Sequence, residues 1–330
     1  MCESAIYILD DLLKSEKRLP FSESLRYSGS GTESPYREYW QVFAAEKEIP
    51  RTVVGGVSLS RMIIGSNWLA GWSHRSPAAD HMIEQRHHSP ETIVPMLETF
   101  LNAGVDTIMA PFTAVPQILR AVREAEEKKG RKMILVDTPW FNVDDTPTAR
   151  REAETAIRKS REAGATFCLI HHSTAEKLVN KNTQTIDRLD DYTKMIRDAG
   201  MIPGLSAHMP ELVVYSDLNG YDVETYIQIY NCMGFLMQVE IETVNSIIRS
   251  AKKPVMTIKS MAAGRCTPFV GLNFSWATLR PCDMVTVGCF SAEEAQEDIN
   301  ISLAALGQQE LQLGIRHSPN PNQAAFGKTE

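Results

Sequence analysis

The sequence lacks the features that mark several protein classes. No segment approaches the roughly 18 consecutive apolar residues that a membrane-spanning helix requires, so no membrane partner is expected. The six cysteines include no C-x-x-C pair and no regular spacing, which predicts buried free thiols. The segment from Met1 to Leu13 has neither a basic start nor a small-residue cleavage site. It is therefore a poor signal peptide, and a cytoplasmic location is the expectation.

Clusters of positive charge are also scarce. The chain has 34 Lys and Arg against 41 Asp and Glu, which gives a net charge of −7. Because phosphate contacts need clustered Lys and Arg, a nucleic-acid partner is not expected. Hydrophobic residues make up 43% and charged residues 23%, which is an ordinary balance for a globular protein. The 330 residues suffice for one α/β barrel of about 250 residues with added pieces.

From residue 51 onward, short apolar runs alternate with amphipathic segments. A hairpin is predicted first, with strands at 52–54 and 57–59 around a Gly55-Gly56 turn. Eight further strands are predicted at 62–65, 106–110, 133–137, 167–171, 202–206, 226–230, 255–259 and 284–287. Strands that are separated by helices pair in parallel through right-handed crossovers. Eight such units predict a (β/α)₈ TIM barrel, and a Rossmann-type sheet is disfavoured because no G-x-G-x-x-G follows the first strand.

The helices between these strands carry start and stop signals. Ser89-Pro90-Glu91 is a helix start, and Pro95 inside the following pattern indicates either a kink or a later beginning. The last helix begins with Ser291-Ala292-Glu293-Glu294, a capping-box pattern. Glycines are expected to end four of the helices, at Gly104, Gly130, Gly164 and Gly200. We therefore divide the chain into an N-terminal helical extension (1–50), the barrel (51–306) and an irregular C-terminal tail (307–330).

Polar residues stand where the predicted strands end. Active sites of this fold lie at the C-terminal ends of the strands, so these residues are the candidate site. We predict catalytic roles for Asp137, His171, His208 and Lys259, and substrate contacts for Asn67, Trp68, Trp72 and Trp140. Structural alternatives stay open: a loop cap for Asp137 or His208, a buried structural histidine for His171, and plain packing for the tryptophans. His172 should point to the opposite side of its strand from His171, which favours a packing role.

Several segments together resemble the aldo-keto reductase superfamily over roughly residues 52–306. GVSLSRMIIGSN (56–67) is similar to the hairpin and first strand of that family, and LIH (169–171) to its fourth-strand motif, which ends in a catalytic His. GLSAH (204–208), YN (230–231) and GCFSAEEAQED (288–298) resemble its cofactor-binding segments. The resemblance implies a nicotinamide cofactor, NAD(P), bound by Ser206, Asn231, Gly288, Ser291 and Asp298.

The sequence departs from that family at the catalytic tetrad of Asp, Tyr, Lys and His. Only His171 matches. Asp137 stands where the family has Lys, the second strand leads into Met109-Ala110-Pro111 instead of the Asp, and no Tyr follows. An Asp at the Lys position would raise the pKa of a neighbouring acid instead of lowering it. The segment expected to bind adenosine is acidic and lacks the nearby Lys or Arg that a 2′-phosphate needs.

Two functional hypotheses follow. The first, which the resemblance favours and which we take as the leading expectation, is an oxidoreductase that binds NAD(P), uses His171 with a non-family acid or base, and acts on a carbonyl or sugar-like small molecule. The second is a cofactor-independent isomerase, epimerase or lyase on a carbohydrate-like substrate. Its divalent metal would be held by Asp137, His171 and His208, since neighbouring parallel strands lie about 4.8 Å apart. Glu240 or Glu242 would complete the metal shell, although both also suit the first turn of a helix.

Further alternatives remain open at this point. Lys259 ends an apolar strand, where an unpaired ammonium is costly, so it is expected to face a carboxylate or a substrate. A Schiff base on Lys259 is one alternative chemistry. A barrel without catalytic activity is another, and a homo-oligomer is also left open.

Overall fold

The computed structural model describes residues 48–307. The predicted helical extension up to residue 47 and the predicted tail from residue 308 lie outside the described residues. The chain begins this part with an antiparallel hairpin of β1 (Arg51–Val54) and β2 (Val57–Ser60). Gly55 and Gly56 form its turn with φ of 53° and 82°, which is the left-handed conformation that a tight hairpin turn demands.

Eight parallel strands close into a barrel. They are β3 (Met62–Gly65), β4 (Thr107–Ala110), β5 (Ile134–Asp137), β6 (Phe167–Ile170), β9 (Ile202–Ala207), β10 (Tyr226–Ile229), β11 (Val255–Ile258) and β12 (Met284–Val287). β12 pairs with β3, which completes the ring. A small antiparallel pair, β7 (Val179–Asn180) and β8 (Thr185–Ile186), lies between β6 and β9. The predicted TIM barrel is confirmed, and each predicted barrel strand agrees with the structure to within one residue at either end.

The helices pack around this barrel. Their bounds are α1 (Pro77–Arg86), α2 (Val94–Asn102), α3 (Pro116–Lys129), α4 (Pro147–Glu162), α5 (His172–Ala175), α6 (Leu189–Asp198), α7 (Glu211–Asn219), α8 (Ile241–Ser250), α9 (Pro268–Thr278) and α10 (Ala292–Ala305). Pro95 lies in the first turn of α2, so the later helix start applies and Pro90–Thr92 is a separate 3₁₀ turn. Within residues 48–307, no helix has both the length and the apolar character that crossing a membrane requires.

The core has two layers, and this division fixes where the strand-end side chains point. The barrel interior is filled by one residue face of each strand, including Ile63, Met109, Val136, Leu169 and Met256. The other face packs against the helices. Because side chains alternate along a strand, residues next to an interior residue face the helix layer. Val54 and Leu59 of the hairpin join the interior cluster, so the hairpin packs against the barrel interior.

Candidate functional site

A compact group of side chains stands at the C-terminal ends of the neighbouring strands β6 and β9. His171 follows β6 directly, and α5 begins at the next residue, His172. Glu176 follows α5, and His208 follows β9. Because β6 and β9 pair in parallel, their C-terminal ends lie side by side at the same end of the barrel. This arrangement brings the four side chains together.

Backbone hydrogen bonds fix Glu176 against His208. The N–H groups of His208 and Met209 donate to Glu176 Oε1 at 2.7 and 2.9 Å. Glu176 Oε2 lies 3.9 Å from His172 Nδ1, because residues four apart share one side of a helical turn. Burial opposes ionisation of Glu176, but the hydrogen bonds from His172, His208 and Met209 outweigh it and lower its pKa. The carboxylate is therefore charged near neutral pH and held in one orientation.

The histidine rings form a contiguous stack. His172 and His208 lie face to face, with ring centroids 3.6 Å apart and an interplanar angle of 16°. His171 and His172 have centroids 4.2 Å apart, and Trp140 packs edge-on to His171 at 5.7 Å. His171 Nδ1 also accepts a hydrogen bond from the N–H of Ser173 at 3.3 Å, as the N-cap of α5.

Two of the histidines are neutral near pH 7. Burial, reinforced by the neighbouring His172, lowers the pKa of His171 to about 4. The same causes lower the pKa of His208 to about 3. A neutral imidazole keeps a free lone pair, and neutral imidazole is the form that binds metal ions.

His172, Glu176 and His208 have the composition of a metal centre. One ligand atom of each lies within 4.8 Å of the others. Two imidazoles and one carboxylate bind Zn²⁺ and similar ions while leaving a coordination position open for a substrate. Metal–nitrogen bonds of about 2.0–2.1 Å require the two lone pairs to converge, so the stacked rings would rotate apart on binding. In the part of the chain that the structure describes, no other three His, Cys, Asp or Glu side chains form such a group.

Lys259 acts on this group from the end of β11, which is two strands from β9 in the barrel. It follows β11 with φ 62°, a left-handed conformation that is uncommon for a residue with a Cβ. Its Nζ lies 3.1 Å from Nε2 of His74, which belongs to the loop after β3. Burial lowers the pKa of Lys259 to about 8. The charge of Lys259 also helps to lower the pKa values of His171 and His208, so it acts on both histidines.

The structure does not bring Asp137 into this group. Val136 faces the barrel interior, so Asp137 faces the helix layer on the other side of β5. Its Oδ1 accepts hydrogen bonds from the N–H groups of Phe112 at 2.9 Å and Thr138 at 3.0 Å. The side chain is fully buried, and burial raises its pKa. Through Oδ1 this carboxyl group joins the ends of β4 and β5, and its Oδ2 is buried without a hydrogen-bond partner among the described residues.

Glu240 and Glu242, the predicted completing ligands, also lie apart from the histidines. Glu240 is exposed immediately before α8, and Glu242 is exposed in the first turn of that helix. The carboxylate that does join the histidines is Glu176, which the sequence analysis did not identify. The signal that could have found it is the spacing of four residues between His172 and Glu176.

Most of the residues predicted to bind a cofactor are engaged within the protein. Both polar atoms of the Asn231 side chain bond to the backbone of Phe235. Ser291 caps α10 by accepting the N–H of Glu294. Asp298 is buried, and Cys289 Sγ lies 3.3 Å from its Oδ2. Ser206 is buried in β9.

The start of α10 does not fit the phosphate of a nicotinamide nucleotide. The N–H of Phe290 donates to the carboxylate of Glu294 at 2.7 Å, and Glu293 adds a second acid in the first turn. A helix start attracts phosphate because its N–H groups are free and its potential is positive. Here the carboxylate of Glu294 already accepts one of these N–H groups and offsets the positive potential. Gly288, the remaining predicted cofactor residue, lies against the side chain of Trp68. A Cβ built on Gly288 would be 3.2 Å from Trp68 Cδ1.

The residues predicted to contact substrate lie in loops at the barrel mouth. Trp140 is 49% exposed and lines an open cleft of about 590 Å³, and Trp72 is 37% exposed. Trp68 packs edge-on to Phe290 at 6.3 Å. The backbone oxygen of Asn67 accepts the N–H of Trp72 at 2.9 Å. The position of Trp140 against His171 joins it to the histidine group, and the substrate roles of all four residues stay predictions.

Among the comparisons with known proteins, the one with solved structures supports the fold. No protein-family model and no curated protein matches the sequence. Among solved structures, a Pseudomonas aeruginosa protein described as an aldo-keto reductase has a TM-score of 0.59 at 12% identity, covering 81% of this chain and 99% of that chain. A second structure of that description from P. aeruginosa gives 0.58 at 13% identity, with coverage of 81% and 99%.

An aldo-keto reductase from Klebsiella pneumoniae in complex with NADP and acetate gives 0.49 at 14% identity, covering 82% of this chain and 92% of that chain. That similarity is too distant to indicate a ligand for this chain. At such identities likeness establishes the fold, and the chemistry has to be argued from the site. The chain is a closed (β/α)₈ barrel with the fold of the aldo-keto reductases.

Proposed function

We propose that this barrel is an enzyme that binds a divalent transition-metal ion through His172, Glu176 and His208 and acts on a small molecule that carries a carbonyl or hydroxyl group. The single observation that carries the proposal is that their ligand atoms lie within 4.8 Å of one another. The group stands at the C-terminal ends of the barrel strands, where enzymes of this architecture have their active sites. An ion there would polarise the substrate oxygen as a Lewis acid.

The protein contributes an oriented ligand set. Glu176 is fixed by the N–H groups of His208 and Met209, which leaves its Oε2 directed toward His172. Outer hydrogen bonds of this kind orient a metal ligand and strengthen binding. The low pKa of His208, about 3, means that no proton has to leave this ring before it binds an ion near pH 7.

Lys259 is the proposed proton-transfer residue. Its pKa of about 8 lies near working pH, where a side chain can both accept and donate a proton. Removal of a proton beside the polarised carbonyl and its return at another position would isomerise the substrate without an oxidant. His171, also neutral, is the second candidate base, and it contacts Trp140 on the side of the open cleft. This chemistry favours an isomerase, epimerase or lyase on a carbohydrate-like substrate.

A nicotinamide-linked oxidoreductase acting on a carbonyl or sugar-like small molecule is the second candidate. The fold shared with aldo-keto reductases favours it, as does the His that ends the fourth barrel strand, β6. The carboxylate of Glu294 weighs against this candidate, because it accepts the Phe290 N–H that a cofactor phosphate would need. Its negative charge would also repel that phosphate. The residues at the start of α10 therefore favour the metal-dependent candidate over the nicotinamide-linked one.

A thermal-shift panel separates the two candidates. The wild-type protein and the Glu176→Gln variant are titrated with Zn²⁺, Co²⁺, Mn²⁺, NADH and NADPH. We expect saturable stabilisation of the wild type by a metal, about 2.7 kcal/mol at a hundred times the dissociation constant, and none in the variant. Stabilisation by a dinucleotide with no metal effect would contradict the metal proposal and support the oxidoreductase.

A further inference from the structure

Two free cysteines contact each other in the loops that follow β10 and β11. Cys232 Sγ lies 3.9 Å from Cys266 Sγ, although the two residues are 34 positions apart in the sequence. Both side chains are partly exposed, so the predicted burial of the thiols holds for Cys168 and Cys289 and not for this pair. In the part of the chain that the structure describes, no other two thiols are in such contact. Two thiols at this distance can react with each other.

Hydrogen bonds hold the turn that carries Cys232. Asn231 Oδ1 accepts the N–H groups of Met233 at 3.2 Å and Phe235 at 2.8 Å. Asn231 Nδ2 donates to the carbonyl of Phe235 at 3.0 Å, which closes the turn from the other side. Cys232 lies inside this turn, so its backbone is fixed by contacts on both sides of it.

Cys266 is held between the loop after β11 and helix α9. Its N–H donates to the carbonyl of Met261 at 3.4 Å, and its Sγ lies 3.9 Å from the carbonyl oxygen of Ser260. The next residue, Thr267, is the N-cap of α9. α9 packs closely on this loop, because a Cβ on Gly271 would lie 2.6 Å from the oxygen of Ser260. The second thiol is therefore also placed by its surroundings.

The spacing of the two sulfurs suits a bond that can form and break. A disulfide bond is about 2.0 Å long, so the sulfurs have to approach by about another 2 Å. A change of side-chain rotamer moves a cysteine sulfur while the backbone stays in place. A second contact holds the two loops together, because the guanidinium of Arg265 lies 3.9 Å over the ring of Phe235. Both loops are therefore in position before any oxidation.

The loop after β11 has a strained backbone that a cross-link can restrain. Lys259, Ala262 and Ala263 have φ of 62°, 49° and 55°, which is uncommon and costly for residues with a Cβ. The N–H of Ala262 donates to the carbonyl of Lys259 at 2.8 Å, and the N–H of Gly264 donates to that of Met261 at 2.9 Å. Exchange of these amide hydrogens therefore reports opening of the loop.

We propose that Cys232 and Cys266 are a redox modification site, at which hydrogen peroxide converts the two thiols into a disulfide that ties the loop after β10 to the loop after β11. This site goes beyond the proposed function, because neither thiol is a metal ligand or the proton-transfer residue. It bears on that function, since Lys259 begins the loop that ends at Cys266. Oxidation would restrain the segment 259–266 from its C-terminal end.

The reaction runs in two steps, with Cys232 as the attacking thiol. Burial and the neighbouring Cys232 raise the pKa of Cys266 to about 11, so Cys266 stays a thiol near neutral pH. The thiolate of Cys232 attacks one oxygen of the peroxide, the O–O bond breaks, and a sulfenic acid and hydroxide form. The sulfur of Cys266 then attacks that of Cys232, the S–S bond forms, the S–O bond breaks, and the Cys266 proton leaves with the hydroxyl group as water.

The hydroxide from the first step takes up the proton that Cys232 released on ionisation. In total the two thiols lose two electrons and two protons, and the peroxide is reduced to two molecules of water. A dithiol such as dithiothreitol reverses the modification by thiol–disulfide exchange.

Peptide mapping after peroxide treatment tests the site. The reduced protein is oxidised in the presence of a metal chelator and its peptides are identified by mass spectrometry without reduction. The wild type is compared with Cys232→Ser, Cys266→Ser and the matched control Cys282→Ser. Cys282 is partly exposed like the pair, and its sulfur lies 3.8 Å from the carboxylate of Asp283 instead of beside a thiol. Because the chelator removes metal ions, the result is independent of the metal proposal.

We expect a disulfide between Cys232 and Cys266 of one chain, in the wild type and in Cys282→Ser, and its complete reversal by dithiothreitol. Cys266→Ser should instead accumulate a sulfenic acid on Cys232 that dimedone traps, and Cys232→Ser should give neither product. Amide hydrogen exchange over residues 259–266 should be at least about threefold slower in the oxidised wild type than in the reduced one.

Either of two results would overturn the proposal. One is a peptide map in which Cys232 and Cys266 stay free, carry separate oxidation products or join to another chain. The other is a disulfide between them that leaves hydrogen exchange over residues 259–266 unchanged. Peroxide-treated Cys232→Ser is the control for exchange, because it lacks the cross-link and should exchange at the rate of the reduced protein.

Discussion

Replacement of Asp137 by alanine is expected to destabilise the barrel and to leave metal binding intact. The carboxyl Oδ1 accepts the N–H groups of Phe112 and Thr138 at 2.9 and 3.0 Å, in a fully buried position. Alanine leaves both N–H groups without a partner, and each unsatisfied buried group costs about 1–3 kcal/mol. We therefore expect the free energy of unfolding to fall by about 4 kcal/mol.

Asparagine at the same position separates the hydrogen bonds from the charge. Asp137→Asn keeps an oxygen in place for both N–H groups, and it removes an acid whose pKa burial has raised. Its stability should stay within about 1 kcal/mol of the wild type. Asp145→Ala is the matched control, because that carboxylate is 80% exposed and its loss should change stability by less than about 0.5 kcal/mol.

Urea unfolding followed by circular dichroism measures these differences. Asp137→Ala should lower the midpoint with an unchanged m value, and all three variants should bind metal as the wild type does. Two results would refute the reasoning. One is an alanine variant as stable as the wild type, and the other is loss of metal binding in a well-folded Asp137→Asn protein.

Two further predictions concern stability. His171 and His208 have pKa values of about 4 and 3 in the folded chain, against about 6.5 when unfolded. Between these values the unfolded chain takes up protons that the folded chain does not, so the free energy of unfolding should fall as the pH falls below about 6.5. After discounting for partial exposure, we expect the free energy of unfolding to fall by about 2 kcal/mol from pH 7 to pH 5. The fall should be smaller in His208→Gln. A urea midpoint that does not depend on pH would contradict this prediction. Gly204→Ala should lose about 1–3 kcal/mol in thermal unfolding, because its Cβ would lie 2.8 Å from the oxygen of Thr225. Gly288→Ala should lose less, because its nearest neighbour is the Trp68 side chain at 3.2 Å and not a backbone atom, and equal losses would count against this account of packing.

The barrel was predictable from sequence because its strands are short apolar runs separated by capped helices. The N-cap of α10 is an example, since Ser291 accepts the N–H of Glu294 as the capping pattern indicates. The helix α1 was missed because Ile83 is the one buried residue of its ten, so no apolar stripe marks it. Periodicity therefore detects the elements that build the core and overlooks those on the surface.

The site was harder to predict because the sequence of a buried strand does not show which of its two faces points into the barrel. Both faces of β5 are apolar, so the pattern does not say whether Val136 or Asp137 faces the barrel interior. Glu176 was missed because α5 has four residues, which is too short for a helical pattern to appear. The left-handed backbone of Lys259 likewise follows from tertiary packing and has no local signal, since φ above zero is not expected for lysine.

The central claim is the metal centre, and a visible absorption titration with Co²⁺ tests it most directly. Co²⁺ commonly replaces Zn²⁺ in sites of imidazole and carboxylate ligands, and its spectrum reports the coordination geometry. We predict one ion per wild-type chain, binding lost in His172→Gln, Glu176→Gln and His208→Gln, and binding retained in His171→Gln. Absence of a bound ion in the wild type, or the same spectrum and stoichiometry in all four variants, would contradict the account.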